Sequence, residues 1–333
     1  MTTANEMRSA ASVLSWASST VEPVLRKAVD SLPGPLRHMS GYQLGWWDSD
    51  GVATRASGKA VRPALTLLCA QASRGGADDA VTAAAAVELA HNHSLVHDDV
   101  MDGDAMRRHR PTVWRAFGAG PAIMAGDALL TLAFDLLASS GAETATLRDA
   151  IKDLLRGQCA DLDFEHRDDV TLAEVHAMSR DKTAALFGAA CALGAQAAGS
   201  DGARLEHLRG FGMSLGVAFQ LVDDLLGIWG DPEVTGKPVY EDLRRRKKSL
   251  PVVAALTSGT DAGRELAERY ARDRADLADL AELIDRACGR VWAHEQADLA
   301  LRNAVRDLWL AEPSPGPATE LAALARLIVE RDR

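Results

Sequence analysis

Apolar residues recur at spacings of three and four along nearly the whole chain, as in VTAAAAVELAHNHSLVHDD (81–99), LRDAIKDLLRGQCADLDFE (147–165) and LEHLRGFGMSLGVAFQLVDDLLGIW (205–229). That period marks one face of a helix, and it predicts a helix over each stretch. Alternating β-branched runs joined by Asn-Gly or Asp-Gly turns are missing, so no sheet is expected. Breakers separate the helical stretches at SLPGPL (31–36), WWDSDG, GDPEVTGKP (230–238) and EPSPGP (312–317), each short enough to be a loop rather than a linker. No repeat of 20 to 50 residues and no low-complexity block appears, which predicts one all-α domain over residues 1–333. Residues 1–19 are expected to fray, as chain termini do.

Charge narrows the partners: a net charge of -10 over 333 residues lacks the basic footprint of a nucleic-acid coat. Any anionic ligand must then be held locally. Cys69, Cys159, Cys191 and Cys288 are far apart with no CxxC pair, which suggests neither zinc nor a disulfide framework and fits a reducing cytoplasm. The most apolar run, PAIMAGDALLTLAFDLLASSG, is interrupted by Asp127 and Asp135, and the N-terminus lacks a basic region followed by an apolar core. The expectation is a cytoplasmic protein that is not integral to a membrane.

Against that background HDDVMDGDAMRRHRPT (97–112) stands out, with Asp98, Asp99, Asp102 and Asp104 just before Arg107, Arg108 and Arg110. If the preceding helix continues through Asp102, Asp98 and Asp102 differ by about 40° and share one face, where hard oxygen donors suit Mg²⁺. His91 lies on the same stripe. Taken alone, a DDxxD stretch is more often a solvated acidic turn. The second pair, Asp223 and Asp224 in FQLVDDLLGIWGD, sits in an otherwise apolar helix, where unpaired charge costs several kcal/mol, about that much per group, unless a metal or partner offsets it. GKAVRP adds Lys59 and Arg62 on one turn, although each basic residue taken singly reads as an ordinary surface charge.

In order, GKAVRP, ELAHNHSLVHDDVMDGDAMRRHRPT, GQCADLDFE, DKTAALF and FQLVDDLLGIWGDPEVTGKPVYEDLRRRKKSLP make the chain resemble the trans-isoprenyl diphosphate synthases, the polyprenyl synthetase family. The match runs from about Gly41 to Val253. The resemblance implies a bundle of mostly antiparallel helices around a deep central cavity, the isoprenoid synthase fold, in a homodimer. It implies that Asp98, Asp99 and Asp102, with Asp223 and Asp224, form the metal motifs holding up to three Mg²⁺ ions on an allylic diphosphate. It places Arg107, Lys182 and Lys237 on the same diphosphate and Lys59, Arg62, His91 and Arg108 on isopentenyl diphosphate. Thr183 and Gln220 fall near the reacting carbons, and the basic run Arg244 to Lys248, with Lys247, in a closing segment. The implied allylic substrates are dimethylallyl, geranyl and farnesyl diphosphates.

His93, five before the first aspartate, and the following Ser94 correspond to the positions that set product length. An intermediate ring and a small residue lean toward geranylgeranyl diphosphate (C20), with farnesyl diphosphate (C15) next, though a plain core histidine is the simpler reading of His93. One position departs from the family: the second motif reads DDLLG, with Gly227 where a third aspartate would stand. Asp231 is two turns from Asp224 and cannot simply substitute, so weakened metal binding there is expected. A class I terpene cyclase shares the acidic motifs, but it binds one diphosphate and has no use for two basic sets. A non-catalytic modulating subunit should lose its metal ligands, and the first motif is whole here.

Overall fold

The first helix starts where Ser9 accepts the Ser12 backbone N–H at 3.2 Å, an N-cap, and α1 then runs Ala10–Asp30. Every third or fourth residue (Val13, Ala17, Val21, Leu25, Ala28 and Val29) is buried, as the apolar period predicts. Arg8 clamps this end by a bidentate pair to Glu320, 2.6 Å at the shortest. Ala10–Ser19, within the stretch where fraying was expected, lie in α1, where apolar burial and the capped first turn support the helix. The computed structural model describes residues 8–54, 58–232, 238–270 and 276–330.

Contacts divide the chain into two compact units, each assembled from three stretches. The first comprises 1–148, 189–209 and 309–324. Its helices after α1 are α2 Gly34–Gln43, α3 Val61–Ala72, α4 Val81–Met101, α5 Val113–Phe117 and α6 Ala119–Ser139. α4 packs lengthwise on α6 and against α1 and α3. Its first half, Ala83–Ala90, is buried on every side, which explains why so many alanines sit there: small side chains let neighbouring helices approach from all directions. At Gly194 the approach of α3 is closest, since an added Cβ would fall inside contact distance of the Thr66 carbonyl oxygen.

The second unit comprises 149–188, 210–308 and 325–333. α7 (Ala145–Phe164), α9 (Ala185–Ala197) and α10 (Gly202–Trp229) each contribute to it, as does α8 (Leu172–Ser179), which a capping box of Thr171 and Glu174 begins. Between α8 and α9, Arg180–Ala184 form one π-helical turn. The amphipathic helices Asp261–Tyr270 and Leu277–Arg286 bury Leu266, Leu280, Leu283 and Ile284 against Ile228, Leu243 and Val252.

The all-α expectation holds with one local difference: Met106–Arg107 (β1) and Arg110–Pro111 (β2) pair antiparallel around Arg108 and His109, both left-handed at φ 51° and 60°. Two left-handed central residues define the tight hairpin turn that usually calls for Asn-Gly. Arg-His carries no such signal, and Tyr42 holds the far strand instead by donating its hydroxyl to the Pro111 carbonyl at 2.6 Å.

Gly194→Ala must push α9 from α3 against the Thr66 backbone, so a loss of about 2–3 kcal/mol of folding stability is expected. Gly34→Ala, at a site with nothing near the added carbon, should change little by comparison. Urea unfolding of the two variants, with equal midpoints as the contrary result, checks this.

Candidate active site

The first acidic motif lies at the C-terminus of α4, in the first unit. α4 ends at Met101, one residue before the expected end, yet Asp102 stays in right-handed helical conformation and its N–H reaches the Asp98 carbonyl at 2.8 Å. The two carboxylates therefore keep their one-turn relation, Asp98 half-buried and Asp102 exposed. Asp99 behaves differently: it is 1% exposed and Arg107 grips both of its oxygens, at 2.8 and 3.1 Å from Nε. Burial raises the Asp99 pKa despite that partner, and the Asp99 bond holds the Arg107 guanidinium above its ordinary value against burial. Asp99, expected among the metal motifs, is thus closed in by Arg107, which was itself expected on the allylic diphosphate.

Beside this turn is a charge cluster built around a residue the sequence reading missed, Glu88 on α4. Its carboxylate accepts from Asn92 Nδ2 at 3.1 Å, and burial raises its pKa against the pull of Arg108 and Arg62. Arg62, 9% exposed on the first turn of α3, is pushed down to about 10 by burial, with Glu88 opposing. Burial and then the Arg62, Arg108 and Arg107 cations hold the His91 ring well below its ordinary pKa, so it is a neutral imidazole at pH 7. Gly58 lets the Arg108 guanidinium come close, 2.8 Å from where a Cβ would lie. Lys59 is exposed on the segment leading into α3. Three of the four predicted basic residues thus share one field, with Arg107, Arg108 and Arg110 lining a small pocket with Tyr42 and Gln43. A larger cavity of about 380 Å³ lies between α1, residues 44–46 and Glu88. The signal for Glu88 was a lone acid in an alanine run, three and four residues before His91 and Asn92.

The second unit carries the other motif. The π-helical turn displaces Lys182 and Thr183 from regular helix positions, a distortion found mainly at functional sites. Lys182 Nζ donates to Asp161 at 2.6 Å, and Thr183 Oγ1 donates to Gln220 Oε1 at 2.6 Å. Gln220 Nε2 donates in turn to Asp224 Oδ1 at 2.8 Å, and the Leu250 N–H donates to Oδ2 at 3.0 Å. Asp224, 3% exposed with both oxygens engaged, is pushed up to about 7 by burial, Lys247 opposing. Like Asp99, this member of the expected metal motifs has its oxygens engaged within the protein. Asp223, about 100° around α10, is exposed.

Gly227 has a tertiary explanation. A Cβ there would collide with the carboxylate of Asp242, which lies against the glycine's Cα. The space left by the missing aspartate side chain thus holds a carboxylate from the helical turn Glu241–Arg244. Lys247 is lowered by burial but carried well above its ordinary value by Asp242, Asp224, Asp161 and Asp223, in that order. Asp161 is held below the usual carboxylate range, since Lys182 and Lys247 outweigh the raising effect of burial. Asp161 and Asp242 had received no role from the sequence. Both lie in quoted motifs, and only their contacts single them out. In the Arg244–Lys248 run, Arg246 donates to the Tyr270 carbonyl at 2.6 Å and Tyr270 Oη donates to the Lys247 carbonyl at 2.9 Å. Lys237 lies outside the described residues. His93 and Ser94 are both buried, at 5% and 7%.

The family model described as polyprenyl synthetase matches residues 52–287. The chain is 44% identical over 332 residues to the (2E,6E)-farnesyl diphosphate synthase of Mycobacterium tuberculosis, covering 96% of this chain and 92% of that one. It is 46% identical to the geranylgeranyl diphosphate synthase of the same species, covering 96% and 93%. Its fold matches a polyprenyl synthetase from Streptomyces coelicolor A3(2) with a TM-score of 0.91 at 42% identity, covering 95% and 98% of the two chains.

Burial, with His97 beside it, lowers the His93 pKa to about 4, against a bond to the Gly126 carbonyl. A folded-state pKa below the unfolded one gives stability that is whole above the ordinary value near 6.5 and is lost as pH falls toward 4. In chelator-containing buffer, where Asp224 and the other shifted groups titrate alike in both chains, the wild type should lose about 2–3 kcal/mol more than His93→Asn over that window. Urea unfolding against pH measures it; parallel slopes contradict it.

Proposed function

Because this chain belongs to the polyprenyl synthetase family and is a prenyltransferase, we propose that it condenses isopentenyl diphosphate with an allylic diphosphate (dimethylallyl, geranyl or farnesyl) to give geranylgeranyl diphosphate. The observation that carries this reading is the shared field of Arg62, His91, Arg108 and Glu88 beside the Asp98–Asp102 turn. Enzymes that ionise a single diphosphate have no use for a second basic cluster.

The donor sets fit Mg²⁺, up to three ions. Asp98 and Asp102 stand one turn apart, and Asp223 shares a field with Asp242, the carboxylate that takes the place of a side chain at Gly227. When bound, Mg²⁺ neutralises the charge that develops on the departing diphosphate. The chain's own residues do the rest. Lys182, Lys237 and Lys247 present cations to the allylic diphosphate, Lys182 and Lys247 being oriented by Asp161. As the allylic C–O bond breaks, its electron pair leaves with diphosphate. The oxygen dipoles of Thr183 and Gln220, fixed by their mutual bond, face the carbocation that remains. Lys59, Arg62, His91 and Arg108 position isopentenyl diphosphate, whose double bond attacks the cation. The proton then lost from the adduct goes to the released diphosphate. His91 is a neutral hydrogen-bond donor in this reading, since burial and then the surrounding guanidiniums keep its ring unprotonated.

Product length follows from His93 and Ser94, neither of which is a bulky aromatic ring. We further propose a homodimer, supported by the exposure of Ile123 and Met124 on α6, at 45% and 55%. A single domain is supported by the assembly of both units from interleaved stretches. α6 and α10 are long and apolar enough to cross a membrane by length and composition, but 44% and 56% of their apolar windows is buried in the protein. With free thiols at all four cysteines, that supports a cytoplasmic protein which is not membrane-integral.

Incubation with isopentenyl diphosphate, Mg²⁺ and each allylic primer, followed by mass analysis, should give a C20 diphosphate. A C15 end point corrects the length, and no elongation of any primer defeats the reading. Asp98→Ala should cut kcat roughly 100-fold or more, the scale of removing one preorganised charge-stabilising group. Asp242→Asn should cost about 10–100-fold, while Gly227→Asp, which crowds Asp242, should fail to raise activity. An active, faster Gly227→Asp enzyme would show that Asp242 does not stand in for the missing carboxylate.

A further inference from the structure

A π-helical turn carries one residue more than regular helix, and it persists where surrounding contacts over-determine it. In Arg180–Ala184 the extra residue shows in the Ala185 N–H, which reaches back five residues to the Arg180 carbonyl. Neighbouring positions of α7 meet this turn, all within the second unit. Arg156 Nε donates to Asp181 Oδ2 at 2.6 Å, and the Asp181 side chain is only 10% exposed. Gly157 is buried directly against the next residue: a Cβ there would fall inside contact distance of the Lys182 backbone nitrogen and Cα. Asp161, one turn beyond Gly157, accepts from Lys182 Nζ at 2.6 Å. A guanidinium grip, a bare backbone contact and a side-chain bond thus register α7 against two successive residues of the turn. Thr183, bonded to Gln220, follows them. Arg156 has a second partner on its own helix, Asp153 at 2.8 Å, and the Arg180 guanidinium stands 3.6 Å from Asp181.

We propose that Arg156, Gly157 and Asp181 are positioning residues for the condensation: they hold the π-helical turn against α7, so that Lys182 and Thr183 keep the directions the reaction needs. This rests on the prenyl-transfer reading, in which Lys182 grips the allylic diphosphate and Thr183 faces the carbocation; none of the three touches substrate. If the turn relaxed to regular helix, one residue, about 100° of rotation, would be taken out between α8 and α9. Lys182 and Thr183 could not then both keep their partners on Asp161 and Gln220. As a contribution to stability the Arg156–Asp181 pair is small, because the Arg156 side chain is 59% exposed; what it sets is direction. Its loss therefore acts on turnover more than on folding. Isopentenyl diphosphate is read as held by the cluster of the first unit, so its binding does not depend on this turn.

Steady-state kinetics of the full chain with Mg²⁺, isopentenyl diphosphate and an allylic primer, beside hydrogen exchange of the unliganded chain, test this. Arg156→Gln should lower kcat about tenfold, short of the roughly 100-fold that ångström-scale misplacement can cost, with KM for isopentenyl diphosphate unchanged. Its melting temperature should change little. Arg156→Lys, which keeps a cationic donor, should recover most of the loss. Asp181→Asn should lose as much as Arg156→Gln, and the double variant no more than either, because both remove one interaction. Asp153→Ala, which removes only the partner on α7 itself, should turn over as the parent does. Without substrate, amide exchange over residues 181–185 should quicken in Arg156→Gln and not in Asp153→Ala. Unchanged kcat in Arg156→Gln, additive losses in the double variant, or an equal loss in Asp153→Ala would each overturn the proposal. Because Arg156 is exposed, its variants fold on simple grounds and decide the matter if Asp181→Asn does not fold. A parent chain that elongates no primer defeats the prenyl-transfer reading by itself; the exchange comparison then decides whether Arg156 holds the turn, and unchanged exchange overturns that.

Discussion

Burying charge inside an alanine-rich helical body is the constraint on which the rest of this protein depends. An ionised carboxylate in such a setting is tolerated only when its oxygens are satisfied, and both Asp-Asp pairs are solved in the same way. The second aspartate of each pair is sealed in: Asp99 by Arg107, Asp224 by Gln220 and the Leu250 N–H. The first, about 100° around the helix, is left half-buried or exposed, as Asp98 and Asp223. One residue of each pair thus anchors the helix, and its neighbour stands on a more open face.

Regular helix cannot place all the remaining groups, and the departures from it fall at the same places. α4 stops within the first motif, a hairpin with two left-handed residues carries Arg107, Arg108 and Arg110, and one π-helical turn presents Lys182 and Thr183. Tyr240 and Arg246, also left-handed, bracket the turn that brings Asp242 to Gly227. Such conformations persist where surrounding contacts over-determine them, and here the contacts are charge pairs and buried hydrogen bonds. The Tyr42–Pro111 and Arg246–Tyr270 bonds are two of these.

Opposing charges also set protonation. His91 is neutral because burial and then the guanidiniums around it disfavour its cation, and Lys247 is firmly cationic because four carboxylates outweigh its burial. The two outcomes suit different tasks, a hydrogen-bond donor in one cluster and a fixed positive charge in the other. Gly227, which in the sequence looks like a lost ligand, is the counterpart of Asp242: removing one side chain made room for another carboxylate from a different segment.

The sequence by itself determined the helical class, through its three-and-four apolar period, and the acidic and basic motifs, through residue types at fixed local spacing. Asp98 and Asp102, Lys182 and Thr183, and Gln220 through Asp224 are local relations of this kind, legible because helix geometry converts spacing into direction. Tertiary structure alone decided which carboxylates face out and which are sealed, that Glu88, Asp161 and Asp242 join the clusters, and that Arg108 and His109 turn a hairpin. Those outcomes depend on which distant segment arrives beside a residue, as Asp242 does at Gly227 and Asp161 at Lys182. Spacing along one helix carries no information about that arrival, because it is fixed by packing between elements remote in sequence.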